Sequence, residues 1–317
     1  MTNGESRKDA LALLRAAAAD EHAAIEFFEC RRWGNSPACP RCGDTDVKKI
    51  IRKDGQRERH YRWRCRGCKR QYSVRTGTVF EETRLPMRVW AHAFWRCAAS
   101  KKGVSSLQIS RECGIGYRAA LFMMHRIRHG MAAVAPSRKL RGTVEADETF
   151  VGGKPRVRGK GIRPNWTDKT PVFAVVARGG QVRMRVMEKV TARNLDAALA
   201  ETVDESARLI TDESASYKTP GLRFVGGHET VHHKAGEYAR GDVTTNTVEG
   251  VFSLLKRGMY GTFHSVTKQH LHRYLAEFEF RYNSRSMTDA ERVHRAIKAS
   301  EGKRLTYREP GSRASAA

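Results

Sequence analysis

The spacing of apolar residues changes several times along the chain, and each change predicts a different kind of element. Up to about residue 36, apolar residues recur at helical spacing. Three further segments keep that spacing, at 87–100, 105–113 and 117–129. The last two are joined through Gly114 and Gly116, and Ser105 can cap the first of them. This arrangement is typical of a helix-turn-helix, although an ordinary three-helix packing unit has the same pattern.

After Arg141 apolar residues alternate with polar ones, which indicates β-strands. We predict strands at 142–151, 172–178, 182–186 and 208–212, with a weaker strand at 223–225. The predicted helices of this part are at 192–206, at 244–257, at 265–285 and after Thr288. Three strands joined by turns, then a helix and a strand, predict a mixed sheet. They do not follow the regular βαβ alternation of a dinucleotide-binding fold.

The helix predicted at 244–257 has two chemically different faces. The polar face carries Asn246, Glu249, Ser253 and Lys256. The apolar face carries Val248, Val251, Phe252 and Leu255. Packing of the apolar face against a core would direct a carboxylate, an amide and an ammonium group toward a ligand. A second interpretation is a capped surface helix, with Asn246 as N-cap and Glu249 at the third helical position.

Four of the seven cysteines form two CxxC pairs, Cys39 with Cys42 and Cys65 with Cys68. Asp54-Gly55 lies between the pairs and between alternating segments, which predicts a hairpin. Two such pairs suit a tetrahedral zinc site in which four thiolates leave no open coordination position. The sequence therefore predicts a zinc ribbon that the metal folds and in which the metal does no chemistry. A redox dithiol is the less favoured interpretation.

The balance of charge points to a polyanionic partner. The chain has 59 Lys and Arg residues against 34 Asp and Glu, a formal net charge of +25. We therefore predict binding of double-stranded DNA. No stretch approaches the roughly 18 apolar residues of a membrane span, so a membrane partner is not expected. The cysteine pairs and the absence of an export signal predict a cytoplasmic, nucleoid-associated protein.

Basic residues at three places are candidate DNA contacts. On the second helix of the helix-turn-helix they are Arg118, Arg126 and Arg128. In the glycine- and proline-containing segment between the first two strands they are Lys154, Arg156, Arg158, Lys160 and Arg163. Arg257 adds a cation near the end of the helix at 244–257. A flexible linker is the alternative interpretation of the segment between the strands.

Three acidic residues are placed so that they can converge. Asp147 lies in the first strand of the sheet, Asp212 ends the fourth, and Glu249 lies on the later helix. Carboxylates placed in this way can bind one or two Mg²⁺ ions for phosphoryl transfer. If Asp147 points into the site, Glu148 points to the opposite face. The alternatives are an exposed strand residue for Asp147 and a helix or turn cap for Asp212. A weaker candidate metal site is formed by His228, His232 and His233.

Three stretches resemble a known family: VEADETFVGGK, LITDESASY and TNTVEGVFSLLKRGMYGTFHSVTKQHLHRYLAEFEFRYNSR. They are similar to the signature blocks of DDE-class insertion-sequence transposases, in the group that has an N-terminal zinc ribbon and is related to the Merlin superfamily. CPRCGD, CRGCKRQYSVRTGTVFEETRLP and residues 105–128 also fit that group. The resemblance implies a ribonuclease H-like domain in which Asp147, Asp212 and Glu249 bind Mg²⁺. It further implies an auxiliary role for Asn246 and a phosphate or DNA contact for Lys256.

These observations predict an α+β multidomain protein. Its predicted parts are an N-terminal helical segment (1–36), a zinc ribbon (37–84), a helix-turn-helix DNA-binding unit (85–137), a ribonuclease H-like mixed-sheet catalytic domain (140–300) and a flexible tail (301–317). The hypothesis is a transposase that binds the terminal inverted repeats of its element and cuts and joins DNA with Mg²⁺, which Mn²⁺ can replace. Joining two ends requires a homodimer or higher oligomer. The alternatives are a catalytically silent zinc-ribbon regulator derived from a transposase and a structure-selective nuclease.

Overall fold

The structure is a computed structural model that describes residues 7–133, 138–152, 169–237 and 239–307. Backbone contacts divide the chain into two units. The first unit comprises the chain up to Ala132 and again from Met287, and the second comprises Ala133–Ser286. Within the described ranges, no helix is long and apolar enough to cross a membrane.

Along the chain, the strands of the first unit all precede those of the second. The described helices are α1 (Arg7–Ala19), α2 (Glu21–Trp33), α3 (Met87–Ala99), α4 (Ser106–Cys113), α5 (Tyr117–Met131), α6 (Ala192–Thr202), α7 (Lys218–Gly221), α8 (Asn246–Gly258), α9 (Lys268–Asn283) and α10 (Asp289–Lys298). The described strands are β1 (Val47–Lys49), β2 (Trp63–Cys65), β3 (Gln71–Tyr72), β4 (Thr143–Val151), β5 (Thr170–Ala177), β6 (Val182–Val186), β7 (Arg208–Asp212) and β8 (His228–Val231). Strands β1–β3 belong to the first unit and β4–β8 to the second.

Aromatic residues form the centre of the first unit. The rings of Phe28 in α2, Phe80, and Phe94 in α3 meet edge to face, with centroids 5.0, 5.6 and 6.1 Å apart. Trp90 packs against Phe80 at 5.1 Å. These edge-to-face contacts join α2, α3 and the segment that follows the ribbon into one core.

The last helix, α10, returns to the first unit and packs against α3. It begins with the predicted cap at Thr288, which forms a capping box with Glu291. Its buried residues are Val293, Ala296 and Ile297. The range predicted for the catalytic domain, 140–300, therefore contains a helix that belongs by its contacts to the first unit.

Residues directly after α10 also lie against the first unit. Glu301 forms an ion pair with Arg32 at 3.3 Å, and the carbonyl of Leu305 accepts a hydrogen bond from Arg126 at 3.0 Å. The flexible tail is predicted to begin at residue 301. The contacts of Glu301 and Leu305 correct that boundary. Buried arginines of the first unit need acceptors, and the segment up to Tyr307 supplies them.

The two predicted helices around a glycine turn are confirmed as α4 and α5. The Ser105 hydroxyl caps α4 by accepting the backbone N–H of Gln108 at 3.1 Å. Gly114 ends α4 with φ 62°, in the left-handed region that favours glycine. Gly116 then precedes the first turn of α5. The glycines therefore set the angle between the two helices.

The ribbon is a three-stranded antiparallel sheet in the order β1-β2-β3. One face buries Trp63, Cys65 and Tyr72. On the opposite face Lys48 lies directly across from Arg64, and Arg64 lies across from Gln71. All three of these residues are exposed. The exposed face of the ribbon therefore places two cations side by side, which is unfavourable without an anionic partner.

The second unit is built on a five-stranded mixed sheet in the order β6-β5-β4-β7-β8. Strands β4, β5 and β6 are antiparallel neighbours, whereas β7 and β8 run parallel to β4. Helix α6 covers one face, packing on Val144, Phe173 and Val175. Helices α8 and α9 cover the other face, on which Val172 and Ala174 are buried. This mixed sheet with helices on both faces is consistent with the predicted ribonuclease H-like domain.

The weak strand predicted at 223–225 is wrong. That segment belongs to the turn after α7, and the strand beside β7 is β8, at His228–Val231. β8 has the sequence HETV, in which only Val231 is apolar. It is an edge strand of the sheet. An edge strand with few apolar residues has no strong pattern of its own, and pairing with β7 decides where it begins.

Candidate active site and zinc site

The two aspartates predicted as metal ligands lie on neighbouring parallel strands. Thr143 of β4 is in register with Arg208 of β7, and Glu145 with Ile210. The paired register ends there, and two residues further along each strand are Asp147 and Asp212. Asp147 lies across from Ala174, which packs on the face covered by α8. Asp147 therefore faces α8 from the middle of β4, and Asp212 is the last residue of β7.

The surroundings of Asp147 favour its protonated form. Burial raises the pKa of Asp147 to about 7. The backbone N–H of Glu148, which Asp147 accepts at 2.7 Å, opposes this shift. The charges of Glu148, Asp212 and Glu249 are smaller contributions to the same rise. This mutual effect of three acids on Asp147 indicates that they share one region of the molecule.

Glu249 reaches this region from the first turn of α8. Its side chain is 49% exposed. The buried hydroxyl of Thr245 donates to Glu249 Oε1 at 2.8 Å, and His233 Nε2 lies 3.5 Å from the same oxygen. The backbone N–H of His233 in turn donates to Glu213 at 2.9 Å. Glu249 is thus linked through Thr245 and His233 to the end of β7.

The polar face predicted for α8 is confirmed, since Asn246, Glu249, Ser253 and Lys256 are all exposed while the apolar residues are buried. The predicted capping box is wrong. The helix begins at Asn246 with Thr245 as N-cap, so Asn246 is inside the helix. Glu249 bonds to the Thr245 side chain, and another carboxylate, that of Glu145, accepts the free N–H groups of the first turn.

Glu148 faces the other side of the sheet, as expected from strand alternation. It lies across from Phe173, which packs under α6, and it accepts a short hydrogen bond from the buried hydroxyl of Tyr217. Burial raises the pKa of Glu148, and the charge of Asp212 adds to this effect. Glu148 therefore joins β4 to the segment after β7, away from the face that α8 covers.

The predicted DNA contacts fall into three groups in the structure. Arg118 on α5, and Lys256 and Arg257 on α8, are exposed. Arg126 and Arg128 are only 6% and 0% exposed, because the later turns of α5 face the core of the first unit. We therefore remove Arg126 and Arg128 from the candidate DNA surface. The remaining candidates, Lys154, Arg156, Arg158, Lys160 and Arg163, lie outside the described residues.

The four paired cysteines form a compact thiol cluster. In the described part of the chain they are the one group of potential ligands whose atoms all lie within 4.8 Å of one another. Cys39 Sγ lies 3.7 Å from Cys68 Sγ, and Cys42 Sγ lies 3.6 Å from Cys65 Sγ. The backbone N–H of Cys68 points to Cys65 Sγ at 3.4 Å, as in a tight knuckle. Four thiol donors without an open position suit a structural Zn²⁺.

The carboxylates form a looser donor set than the thiols. Their oxygens are hard ligands of the kind that Mg²⁺ prefers, and they lie in the middle of β4, at the end of β7 and on α8. They do not meet the spacing that the four cysteines meet among the described residues. Burial is the main cause of the raised pKa of Asp147, and the neighbouring negative charges that add to it are ones that a divalent cation would balance. The candidate cluster of His228, His232 and His233 also does not meet that spacing within the described ranges.

Sequence analysis did not find the residues that hold α8 in place. Glu145, Arg178 and Thr245 are joined to the start of α8 by hydrogen bonds, and His233 touches Glu249. The sequence gives one indication of the role of Glu145, which is that an acidic residue occupies a strand position that faces a buried layer. Its partner on α8 lies more than a hundred residues further along the chain, and no local pattern connects the two.

A zinc ribbon, two helices around a glycine turn and a ribonuclease H-like sheet with acids on two adjacent strands and the helix beside them are features of insertion-sequence transposases. Residues 139–283 match the family model of the ISXO2-like transposase domain, and residues 19–71 match that of the transposase zinc-ribbon domain. The chain is also 30% identical over 274 residues to an uncharacterized protein in transposable element ISH50 of Halobacterium salinarum, covering 82% of this chain and 90% of that protein. The chain therefore belongs to the ISXO2-like family of insertion-sequence transposases, as the resemblance predicted.

Proposed function

We propose that this transposase binds the terminal inverted repeats of its element and catalyses Mg²⁺-dependent strand cleavage and strand transfer. One observation supports this most directly: Asp147 and Asp212 lie on adjacent parallel strands, and the charges of Asp212 and Glu249 both raise the pKa of Asp147. A protein that only binds DNA has no need for acids on two adjacent strands and on the helix that covers them. Bringing two ends together requires at least a dimer.

Each polar residue of this region has a role in the proposal. Asp147, Asp212 and Glu249 would hold Mg²⁺, with Mn²⁺ able to replace it. When bound, these ions would activate a water or 3′-hydroxyl and would stabilise the leaving oxygen. Thr245 and His233 orient the Glu249 carboxylate. Lys256, about two turns beyond Glu249 on the same exposed face of α8, would contact the DNA backbone, and Asn246, about one turn before Glu249 on that face, would be an auxiliary group.

The function is tested with purified protein, labelled DNA that carries the inverted repeats of the element, and Mg²⁺. We expect cleavage at the ends followed by joined products on a second duplex. Binding of the repeats without any cleavage would instead support a catalytically silent regulator. Cleavage that ignores the repeats and depends on DNA structure would support a nuclease. Either outcome contradicts the proposal.

End binding is expected to involve the exposed face of the ribbon. No ion-pair partner for Lys48 or Arg64 occurs among the described residues, and the two side chains stand directly opposite each other. Replacement of Arg64 by Gln should weaken end binding. It should also reduce the slope of log K against the logarithm of the salt concentration by about one, as expected for the loss of one phosphate contact. Fluorescence anisotropy across a salt series measures this slope. Lys53→Gln, in the hairpin tip, is the matched control, and an equal change in the control would contradict a specific role for the sheet face.

The raised pKa of Asp147 predicts how the metal-free protein responds to pH. The folded state keeps a proton up to about pH 7 that the unfolded chain releases near its ordinary pKa of 3.8. Stability should therefore fall as the pH rises between these values, by on the order of 4 kcal/mol, and then level off. Asp147→Asn has no such ionisation and should lose less stability between pH 5 and pH 8. Urea unfolding at both pH values, without added divalent cation, checks this; identical pH dependence in the two proteins would contradict it.

A further inference from the structure

We propose that Glu145 and Arg178 are positioning residues that set the place of Glu249 relative to Asp147. This inference rests on the proposed function, because it concerns the placement of the same carboxylates. Glu145 and Arg178 are not proposed to touch metal or DNA. They act through α8, the helix that carries Glu249.

Glu145 serves as the N-terminal cap of a helix to which it does not belong. Its carboxylate accepts the backbone N–H of Thr247 at 2.8 Å and that of Val248 at 3.0 Å, and the Thr247 hydroxyl donates to it at 2.8 Å. These N–H groups belong to the first turn of α8 and have no acceptor within the helix. Glu145 is fully buried, where a carboxylate is tolerated only with several strong partners.

Arg178 completes the arrangement from the end of β5. Its Nε donates to Glu145 Oε1 at 2.7 Å, and its Nη2 donates to the carbonyl of Thr244 at 2.9 Å. The guanidinium therefore neutralises Glu145 and also holds the backbone just before α8. Glu145 and Arg178 together fix the two sides of the helix start.

The helix's own cap residue is used for something else. Thr245 is the N-cap, but its side chain makes no capping hydrogen bond and donates to Glu249 instead. Because Glu145 provides the cap from outside the helix, Thr245 is available to orient the catalytic carboxylate.

Because Glu145 lies on the same strand as Asp147, the cap fixes the start of α8 relative to Asp147. Glu145 and Asp147 are two residues apart on one strand and so face the same side of the sheet. The residues that Glu145 holds, Thr247 and Val248, immediately precede Glu249. A single rigid strand thus sets both the first carboxylate and the helix that bears the third, and such placement must be accurate for metal chemistry.

The test replaces Glu145 by Gln, which keeps the shape of the side chain and removes its charge. We measure Mn²⁺ binding by electron paramagnetic resonance of the free ion, strand joining, and end binding. The expected result is a 10–100-fold weaker Mn²⁺ affinity and a similar fall in joining, with end binding within about twofold of wild type. Should E145Q fail to fold, Arg178→Lys replaces it, because it keeps the positive charge but loses one of the two donors. It should weaken Mn²⁺ affinity in the same direction.

Glu279→Gln is the matched control for general stability. Glu279 also joins a helix to a strand, accepting the backbone N–H of Met184 at 3.1 Å and pairing with Arg183 at 3.4 Å, but it lies on α9 beside β6. Its loss should lower thermal stability and leave Mn²⁺ affinity unchanged. If E145Q lowers stability while Mn²⁺ affinity stays within about twofold of wild type, Glu145 is a structural residue and the inference is overturned.

The same measurement separates this inference from the proposed function. Wild-type Mn²⁺ binding that disappears in Asp147→Asn but is unchanged in E145Q overturns only the role of Glu145 and Arg178. Mn²⁺ binding that Asp147→Asn does not affect overturns the carboxylate site itself.

Discussion

Asp147→Asn is expected to reduce strand cleavage and joining by roughly 10³-fold or more, while end binding stays within about twofold of wild type. The substitution keeps the size of the side chain and removes one of the oxygens on which metal binding depends. Metal ions supply several kcal/mol of transition-state stabilisation, and a loss of about 4 kcal/mol corresponds to roughly 10³-fold in rate. End binding is assigned to other elements, so it should not follow the rate.

The measurement is a time course of joined product on labelled end DNA, with end binding measured in parallel. Glu148→Gln is the informative control, because Glu148 is the neighbouring acid on the opposite face of β4 and bonds to Tyr217. Its loss should cost stability and far less activity than Asp147→Asn. Near-normal joining by Asp147→Asn, or a larger defect in Glu148→Gln, would contradict the assignment of the two faces.

Removal of zinc is expected to unfold the ribbon and abolish end binding. The strands of the ribbon contain three, three and two residues, and its buried cluster is centred on Cys39, Trp63, Cys65 and Tyr72. So small a core cannot replace the metal, whose binding to small zinc modules contributes on the order of 10–16 kcal/mol at pH 7. We expect Cys65→Ser to lose the bound zinc together with the ribbon fold.

Metal analysis should find about one zinc per chain in the wild type and none in Cys65→Ser, since four thiolates form one site. Tryptophan fluorescence follows the ribbon through Trp63, which is buried in the wild type. Cys30→Ser serves as the control, because Cys30 is an exposed cysteine outside the cluster. Retained zinc and intact end binding in Cys65→Ser would show that the thiol cluster is not the structural site.

The sequence predicted those parts of the molecule that local chemistry determines. Two CxxC pairs with a hairpin turn specify the ribbon, and the periodicity of α8 separates its exposed acid and lysine from its buried valines and leucine. Ser105, Gly114 and Thr288 mark helix ends through their own side-chain or backbone preferences. Apart from the two cysteine pairs, which 22 residues separate, the residues that define each feature lie within a few positions of one another.

The features that sequence analysis missed depend on contacts between distant segments. Asn246 was one candidate for the cap of α8, but Glu145 takes that role through a contact across more than a hundred residues. The edge strand β8 has a polar sequence, and pairing with β7 determines it. Arg126 and Arg128 looked like a basic stripe on α5, although the packing of the first unit buries both. Residue type alone did not distinguish a surface cation from a buried one.

The return of α10 to the first unit also has a consequence for biosynthesis. The helix is translated last among the described elements, yet it packs against α1, α2, α3 and α5. The ribosome must make the whole of the second unit before the helix that covers these faces exists. A chain that stops early therefore cannot complete the first unit, and its apolar faces stay uncovered. Only full-length synthesis produces the finished first unit, and the acids of the second unit are then already present on the same polypeptide.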